Sequence, residues 1–223
     1  EIVFPVYCKV QDDLARFRRG YAKTVTFISL VTFPLMAGLM VVAPEFIRAV
    51  YGAKWLPAAW PLRILCLSAA VMSVMYLTPA VLEAKGRPDI GFKWHLVLLP
   101  TTVISLLFGA RWGLTGIAVT MTVLAGLSIV PMVIATSLIG LPQAAVVRAL
   151  APALTGAIAM TALVGGAKAA FASRLAALPG VAGLALLVGL GVAGYVIVVK
   201  MWWPEAAGEF QGFMRRMVAR EGR

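Results

Sequence analysis

Charged residues in this chain are spaced so widely that the intervals between them constrain the fold. Between Lys23 and Glu45 lie 21 uncharged residues, between Arg63 and Glu83 lie 19, and between Lys93 and Arg111 lie 17. Crossing the hydrocarbon core of a bilayer takes about 20 apolar residues in helical form, because a backbone without water must satisfy its polar groups internally. The interval between Arg111 and Arg148 holds 36 residues, too many for one crossing, and Gly140, Leu141 and Pro142 interrupt it. Spans are therefore expected at about 24–44, 62–82, 94–110, 114–139, 149–167 and 175–199. A cytoplasmic loop or amphipathic helix over 1–23 precedes them, and a basic cytoplasmic tail over 200–223 follows. The fold class is all-α: a polytopic membrane helix bundle of about six transmembrane helices.

Composition agrees with that reading. The chain has 223 residues, of which 61% are hydrophobic and only 13% charged, whereas soluble domains carry roughly 25% charged residues. A domain this small keeps too much surface in water to hide the excess. A soluble enzyme, a disordered tail and a disulfide scaffold are excluded together. The net charge of +11 invites a nucleic-acid partner, but the basic residues sit at the edges of apolar runs and form no stripe interleaved with aromatics. Counted over alternate loops, fourteen Lys and Arg fall on one side of the six spans and five on the other, with Arg63 left at a helix entrance. The positive-inside rule assigns the first side to the cytoplasm. Both ends of the chain are then cytoplasmic, and the expected location is a bacterial inner membrane. The chain begins at Glu1 without a methionine or a signal-peptide pattern, so a fragment of a longer product is expected.

Shorter features refine the picture. Asp12–Lys23 has Leu14, Phe17 and Tyr21 on one helical face, and Glu45–Pro61 reads as an interfacial half-helix anchored by Phe46, Ile47, Val50, Trp55 and Trp60. Proline stands in or at the ends of several spans, at Pro34, Pro79, Pro100, Pro131 and Pro152, and each removes a backbone donor. Small residues line one face of the fifth span, at Ala153 and Ala157, and of the sixth, at Ala185, Gly189 and Ala193, as close helix packing in lipid requires. Hydroxyls at Thr101, Thr102, Ser105, Thr115, Thr120 and Thr122 either line a polar path or bond their own helix carbonyls. Cys8 and Cys66 have no metal spacing.

Ionisable groups within the spans are few. Arg63, at the start of the second span, either snorkels to the interface or faces a cavity. Glu83, Lys85 and Arg87 close that span and could meet an anionic headgroup. His95 is the single histidine. No nucleotide loop, HExxH or Cys/His cluster is present in the sequence, so no catalytic residue, metal or cofactor is expected.

Six segments carry a resemblance to a known family. The stretch Phe4-Pro5-Val6, Lys9-Val10-Gln11-Asp12-Asp13, Arg16 and Arg18-Arg19-Gly20-Tyr21 resembles a cytoplasmic loop of the polysaccharide-transporter branch of the MOP flippase superfamily. Phe33-Pro34-Leu35-Met36-Ala37-Gly38-Leu39 with Ala43-Pro44 resembles the following helix, and Tyr51-Gly52-Ala53-Lys54-Trp55 a turn of that family. Pro61-Leu62-Arg63-Ile64-Leu65, Ala84-Lys85-Gly86-Arg87-Pro88-Asp89 and Gly109 to Ala118 continue in the same order. The resemblance implies the C-terminal lobe of a Wzx-type flippase, in which two helical lobes surround a cationic cavity. It further implies alternating access without ATP hydrolysis, with a polyprenyl-pyrophosphate-linked oligosaccharide as cargo and membrane lipids and a missing N-terminal lobe or partner chain as partners. Arg63, Glu83, Lys85 and Arg87 are the candidate substrate-path residues. A multidrug or lipid exporter of the same superfamily, or a truncated or accessory membrane protein, are the alternatives.

Overall fold

A computed structural model describes residues 13–171 and 180–221, which form helices joined by tight turns, with no strand among the described residues. The motif at Phe4–Gln11, Cys8, Arg174, the expected start of the last span at 175 and the final two residues lie outside the described residues.

The first helix, α1 (Leu14–Val50), runs 37 residues. Asp13 caps it, its side chain accepting from the Arg16 backbone N–H at 2.9 Å and satisfying one of the donors that every helix start leaves orphaned. The expected amphipathic segment and first span are one continuous helix here, because only Gly20 lies between them and a single glycine costs too little to stop a long apolar helix. Phe17 and Tyr21 are buried as the amphipathic face requires, while Leu14 is exposed. At its other end α1 continues through Pro44 to Val50, so Glu45–Val50 is the last turn and a half of a span and no separate half-helix exists. It stops at Tyr51–Gly52, where Gly52 has φ +90°, a conformation open to glycine and strained for other residues. A 3-10 turn over Ala53–Ala58 leads into the next helix.

That helix is α2 (Ala59–Met75), followed after a break at Tyr76–Leu77 by α3 (Thr78–Ala84). Pro79 explains the break: it has no N–H to give the carbonyl of Met75 and its ring crowds that position. Then come α4 (Pro88–Gly109), α5 (Gly113–Leu127) and α6 (Ile129–Leu138). α5 and α6 are separated at Ser128, three residues before Pro131. The series ends with α7 (Gln143–Ala170), α8 (Gly180–Trp202) and α9 (Pro204–Glu221).

Five helical stretches among the described residues are long and apolar enough to cross a membrane, against the six spans expected. The difference lies in the 51-residue stretch Pro88–Leu138, which takes in the expected spans at 94–110 and 114–139. This stretch folds back on itself. The Thr120 hydroxyl lies 3.5 Å from the Ser105 carbonyl oxygen, and a Cβ added at Gly116 would collide with the carbonyl oxygen of Gly109. Both pairs are symmetric about the turn at Ala110–Gly113, as in an antiparallel hairpin. Short 3-10 and positive-φ geometry at Gly113 makes the reversal without a loop long enough to divide the stretch.

Contacts at the helix ends gather the loops into two sets. Arg18 Nε donates to the Ile139 carbonyl at 2.6 Å, the Lys85 ammonium sits 5.4 Å from the centre of the Phe17 ring, and Lys23 pairs with Glu209 at 2.9 Å. The start of α1, the α3–α4 turn, the α6–α7 turn and the start of α9 therefore share one end of the bundle, and these are the segments rich in Lys and Arg. Glu45 and Lys168 meet at the opposite end, 2.8 Å apart.

The principal core packs Phe17, Tyr21 and Val25 of α1 against Val74, Leu82, Ile139 and Val146. Ala153 and Ala157 are buried, but Ala185, Gly189 and Ala193 are exposed, so the expected small-residue face of the last span is not the packed one. The packed face of α8 carries Leu187, Gly191 and Gly194 instead, with Gly191 against Val164 and Met160 and Gly194 against Leu163. Small residues recur on two faces of α8, and the bulk of Met160 and Leu163 on α7 decides which face closes. α4 remains apolar and open, with Leu96 64% and Leu99 70% exposed. Water would penalise such a surface heavily, whereas lipid tails accept it.

Candidate functional site

The two helix breaks face one cavity. Its volume is about 380 Å³, and its wall includes Tyr76 and Thr78 from the α2–α3 break, Ser128 and Pro131 from the α5–α6 break, and Trp94 and His95 from α4. Proline thus shapes the site from both sides, because each break turns side chains that a straight helix would stack along its axis toward a common space. Thr78 is 5% exposed, and its hydroxyl has no hydrogen-bond partner among the described residues. One nitrogen of the His95 ring, Nδ1, lies 2.8 Å from the Gly91 carbonyl oxygen.

Of the four residues singled out in the sequence, Glu83 lines this cavity. Lys85 does not join it, since its ammonium lies over the Phe17 ring of α1. Arg87 is exposed and paired with Asp89, Nε to Oδ1 at 2.9 Å and Nη2 to Oδ2 at 3.3 Å. Hydrogen bonding to Asp89, and then its negative charge, raise the Arg87 pKa still further. The structure therefore does not form a Glu83-Lys85-Arg87 cluster. α3 ends at Ala84, and the positive φ of Gly86, 66°, turns the chain so that neighbours in sequence point to different surroundings.

Arg63 is in a third place. Its Nε donates to the Met40 carbonyl at 3.2 Å, and its guanidinium lies 5.9 Å from the centre of the Trp60 ring. In an unbroken α-helix the Met40 carbonyl would accept from the backbone N–H of residue 44, but residue 44 is proline. Arg63 supplies the missing donor. The same relation recurs at the other proline of α1. Pro34 frees the Leu30 carbonyl, and the Tyr195 hydroxyl of α8 donates to it at 2.9 Å. Tyr195 reaches that far because position 156 is glycine, where an added Cβ would come within 2.6 Å of the ring.

Lys168 completes a third clamp, donating to the Val41 carbonyl and to a Glu45 carboxylate oxygen at 2.9 Å each. Of the three donors, Arg63 was singled out in the sequence, for a different role, and Tyr195 and Lys168 were not. The arithmetic that finds the freed acceptors, proline minus four, was available there, but the donors come from distant helices and could not be read from spacing. The hydroxyls on α4 and α5 mostly turn to their own backbone, as Thr101 does to Val97 and Thr102 to Leu98, each at 2.7 Å. Thr122 also reaches the Ile64 carbonyl of α2 at 3.2 Å. No group of three or more His, Cys, Asp or Glu that could hold a metal ion occurs among the described residues.

A second space of about 680 Å³ lies between α1, α7 and α8, with Pro34 and Tyr195 on its wall and an otherwise almost wholly apolar lining. Long apolar helices, two of them broken, and apolar outer faces define a polytopic helical membrane protein with a cavity between the broken helices. Comparison with known proteins narrows that class. Residues 1–60 match the family described as "Polysaccharide biosynthesis protein".

An uncharacterized membrane protein in the cps region of Klebsiella pneumoniae is 31% identical over 119 residues, 53% of this chain and 24% of that protein. The lipopolysaccharide biosynthesis protein WzxC of Escherichia coli (strain K12) is 32% identical over 118 residues, 51% of this chain and 24% of that protein. The teichuronic acid biosynthesis protein TuaB of Bacillus subtilis (strain 168) is 34% identical over 112 residues, covering 50% and 23%. No solved structure matches. The chain spans about a quarter of the length of these curated relatives. Over about half of its own length the chain is similar to these membrane and surface-polysaccharide biosynthesis proteins.

Proposed function

We propose that this chain forms part of a flippase that carries a lipid-linked oligosaccharide across a bacterial inner membrane by alternating access. The observation that carries this reading is the similarity, over about half of the chain in each case, to both WzxC and TuaB. These are biosynthesis proteins named for two different surface polysaccharides, and movement of a polyprenyl-pyrophosphate-linked precursor is a step such pathways share. Proline-bent spans around an open cavity support it, since helices with loosened backbones can change their bend without breaking a full hydrogen-bond ladder.

In this reading the Lys- and Arg-rich end of the bundle faces the cytoplasm, both ends of the chain lie there, and a further helical lobe completes the cargo path. The chain itself makes and breaks no covalent bond. Glu83 stands on the path, whereas Arg63 holds the kink at Pro44 and contributes to the path through the shape of α1.

Deletion of the gene in its native host tests this. Lipid-linked oligosaccharide should accumulate in the deleted strain and surface polysaccharide should fall, and the intact gene should restore both. Unchanged surface polysaccharide together with unchanged precursor levels would exclude the role.

A further inference from the structure

The cavity between the two helix breaks has a chemistry that discriminates between the parts of such a cargo. Among the described residues Glu83 supplies its one carboxylate, and none of those on its wall is a lysine or arginine. Tyr76, Phe92 and Trp94 supply aromatic surface, and Thr78 and Ser128 supply hydroxyls. The Thr78 hydroxyl is the decisive feature. It is buried from solvent and has no hydrogen-bond partner among the described residues, and a buried polar group left so is destabilising unless something else satisfies it.

We propose that this cavity is the subsite for the carbohydrate end of the cargo, holding a neutral sugar ring between Trp94, Thr78 and Glu83 and excluding the pyrophosphate. This rests on the flippase reading above. A sugar ring has an apolar C–H face that packs on an aromatic ring and hydroxyls that donate to a carboxylate. Its hydroxyls can both donate to and accept from Thr78. A pyrophosphate finds few of its needs met here: His95 is on the wall, but its Nδ1 is engaged by the Gly91 carbonyl oxygen at 2.8 Å. It requires cationic or N–H donors to replace its water, and a carboxylate at close range repels it. Lys85 and Arg87, which stand two and four residues beyond Glu83, are engaged with Phe17 and Asp89, so the charges that suit a phosphate lie outside the cavity.

The test uses the native polypeptide that carries this sequence, in lipid nanodiscs, with two probes. One is the lipid-linked repeat unit extracted from the producing cell, and the other is polyprenyl pyrophosphate without sugar. Thr78→Val and Glu83→Gln should each weaken binding of the sugar-bearing lipid about tenfold, the scale of one hydrogen bond lost to a bound hydroxyl. Binding of the sugar-free lipid should stay within about twofold. Thr78→Val should also raise the thermal midpoint of the unliganded protein, because valine fills the same space without the orphaned hydroxyl. Equal weakening of both lipids, no weakening of either, or a lowered midpoint with both affinities intact would overturn the subsite. If the unsubstituted protein binds neither lipid, the flippase reading itself fails and the subsite falls with it.

Discussion

Arg63 donates its Nε–H to the carbonyl oxygen of Met40 at 3.2 Å, and that oxygen is the acceptor Pro44 leaves without a helical donor. An arginine at the start of a span can snorkel to the interface or use its charge within the protein. Here it is used on the protein's own backbone, and the guanidinium bridges α2 to the bend of α1.

Arg63→Ala should therefore lower stability by about 1.5–3 kcal/mol, the range of a hydrogen bond from a charged donor. In a Pro44→Ala background the same substitution should cost less than half as much, since the backbone N–H of residue 44 then serves Met40. A double-mutant cycle by chemical unfolding in detergent measures the coupling. Equal costs in the two backgrounds would separate Arg63 from the kink.

Tyr195→Phe should cost about 0.5–1.5 kcal/mol through loss of its bond to the Leu30 carbonyl. Gly156→Ala should cost about 1–3 kcal/mol, because its Cβ intrudes on the Tyr195 ring and cores resist such insertion. Thermal unfolding of both variants and of their combination checks the pairing. Once Gly156→Ala has displaced the ring, the hydroxyl has nothing left to lose, so the combined cost should fall short of the sum.

The pair between Glu45 and Lys168 is part-shielded, with side chains 34% and 23% exposed. Its worth lies between that of a surface pair and a buried one, about 1–2 kcal/mol. Lys168→Ala should be the more damaging single change, because Lys168 also holds the Val41 carbonyl and Glu45 loses its partner. Exchanging the two charges should restore part of the loss, and stability no better than that of either single reversal would contradict the pairing.

In a background of Cys8→Ala and Cys66→Ala, Ser105→Cys with Thr120→Cys should cross-link rapidly under mild oxidation, because α4 and α5 return alongside one another at these positions. A single 51-residue helix would hold the two residues about 22 Å apart and give no cross-link. Mobility on a denaturing gel after oxidation distinguishes the two arrangements.

Much of this architecture was legible in the spacing of charge. Lys23, Glu83, Arg148 and Lys200 flank the apolar stretches because a charge in hydrocarbon is costly, although the helices holding Lys23, Arg148 and Lys200 run on past them. Helix ends were less legible. The sequence reading stopped the first span at Pro44, but proline inside a helix bends it when a side chain such as Arg63 can serve the freed carbonyl. The packed face of α8 could not be chosen from Ala185, Gly189 and Ala193, because a second small face carrying Gly191 and Gly194 fits Leu163 and Met160 better. At the cavity Glu83 was legible as a charge at a span end. Thr78 and Trp94 were not, since they matter only once Pro79 and Pro131 turn two breaks toward each other.

The most direct measurement is transfer itself. The native polypeptide carrying this sequence, reconstituted into liposomes with a fluorescent lipid-linked repeat unit, should bring the label from the inner leaflet within reach of a membrane-impermeant quencher. Transfer should be faster than in protein-free liposomes and slowed by Glu83→Gln. Quenching that stops at the outer-leaflet fraction, with the protein folded and inserted, would contradict the account.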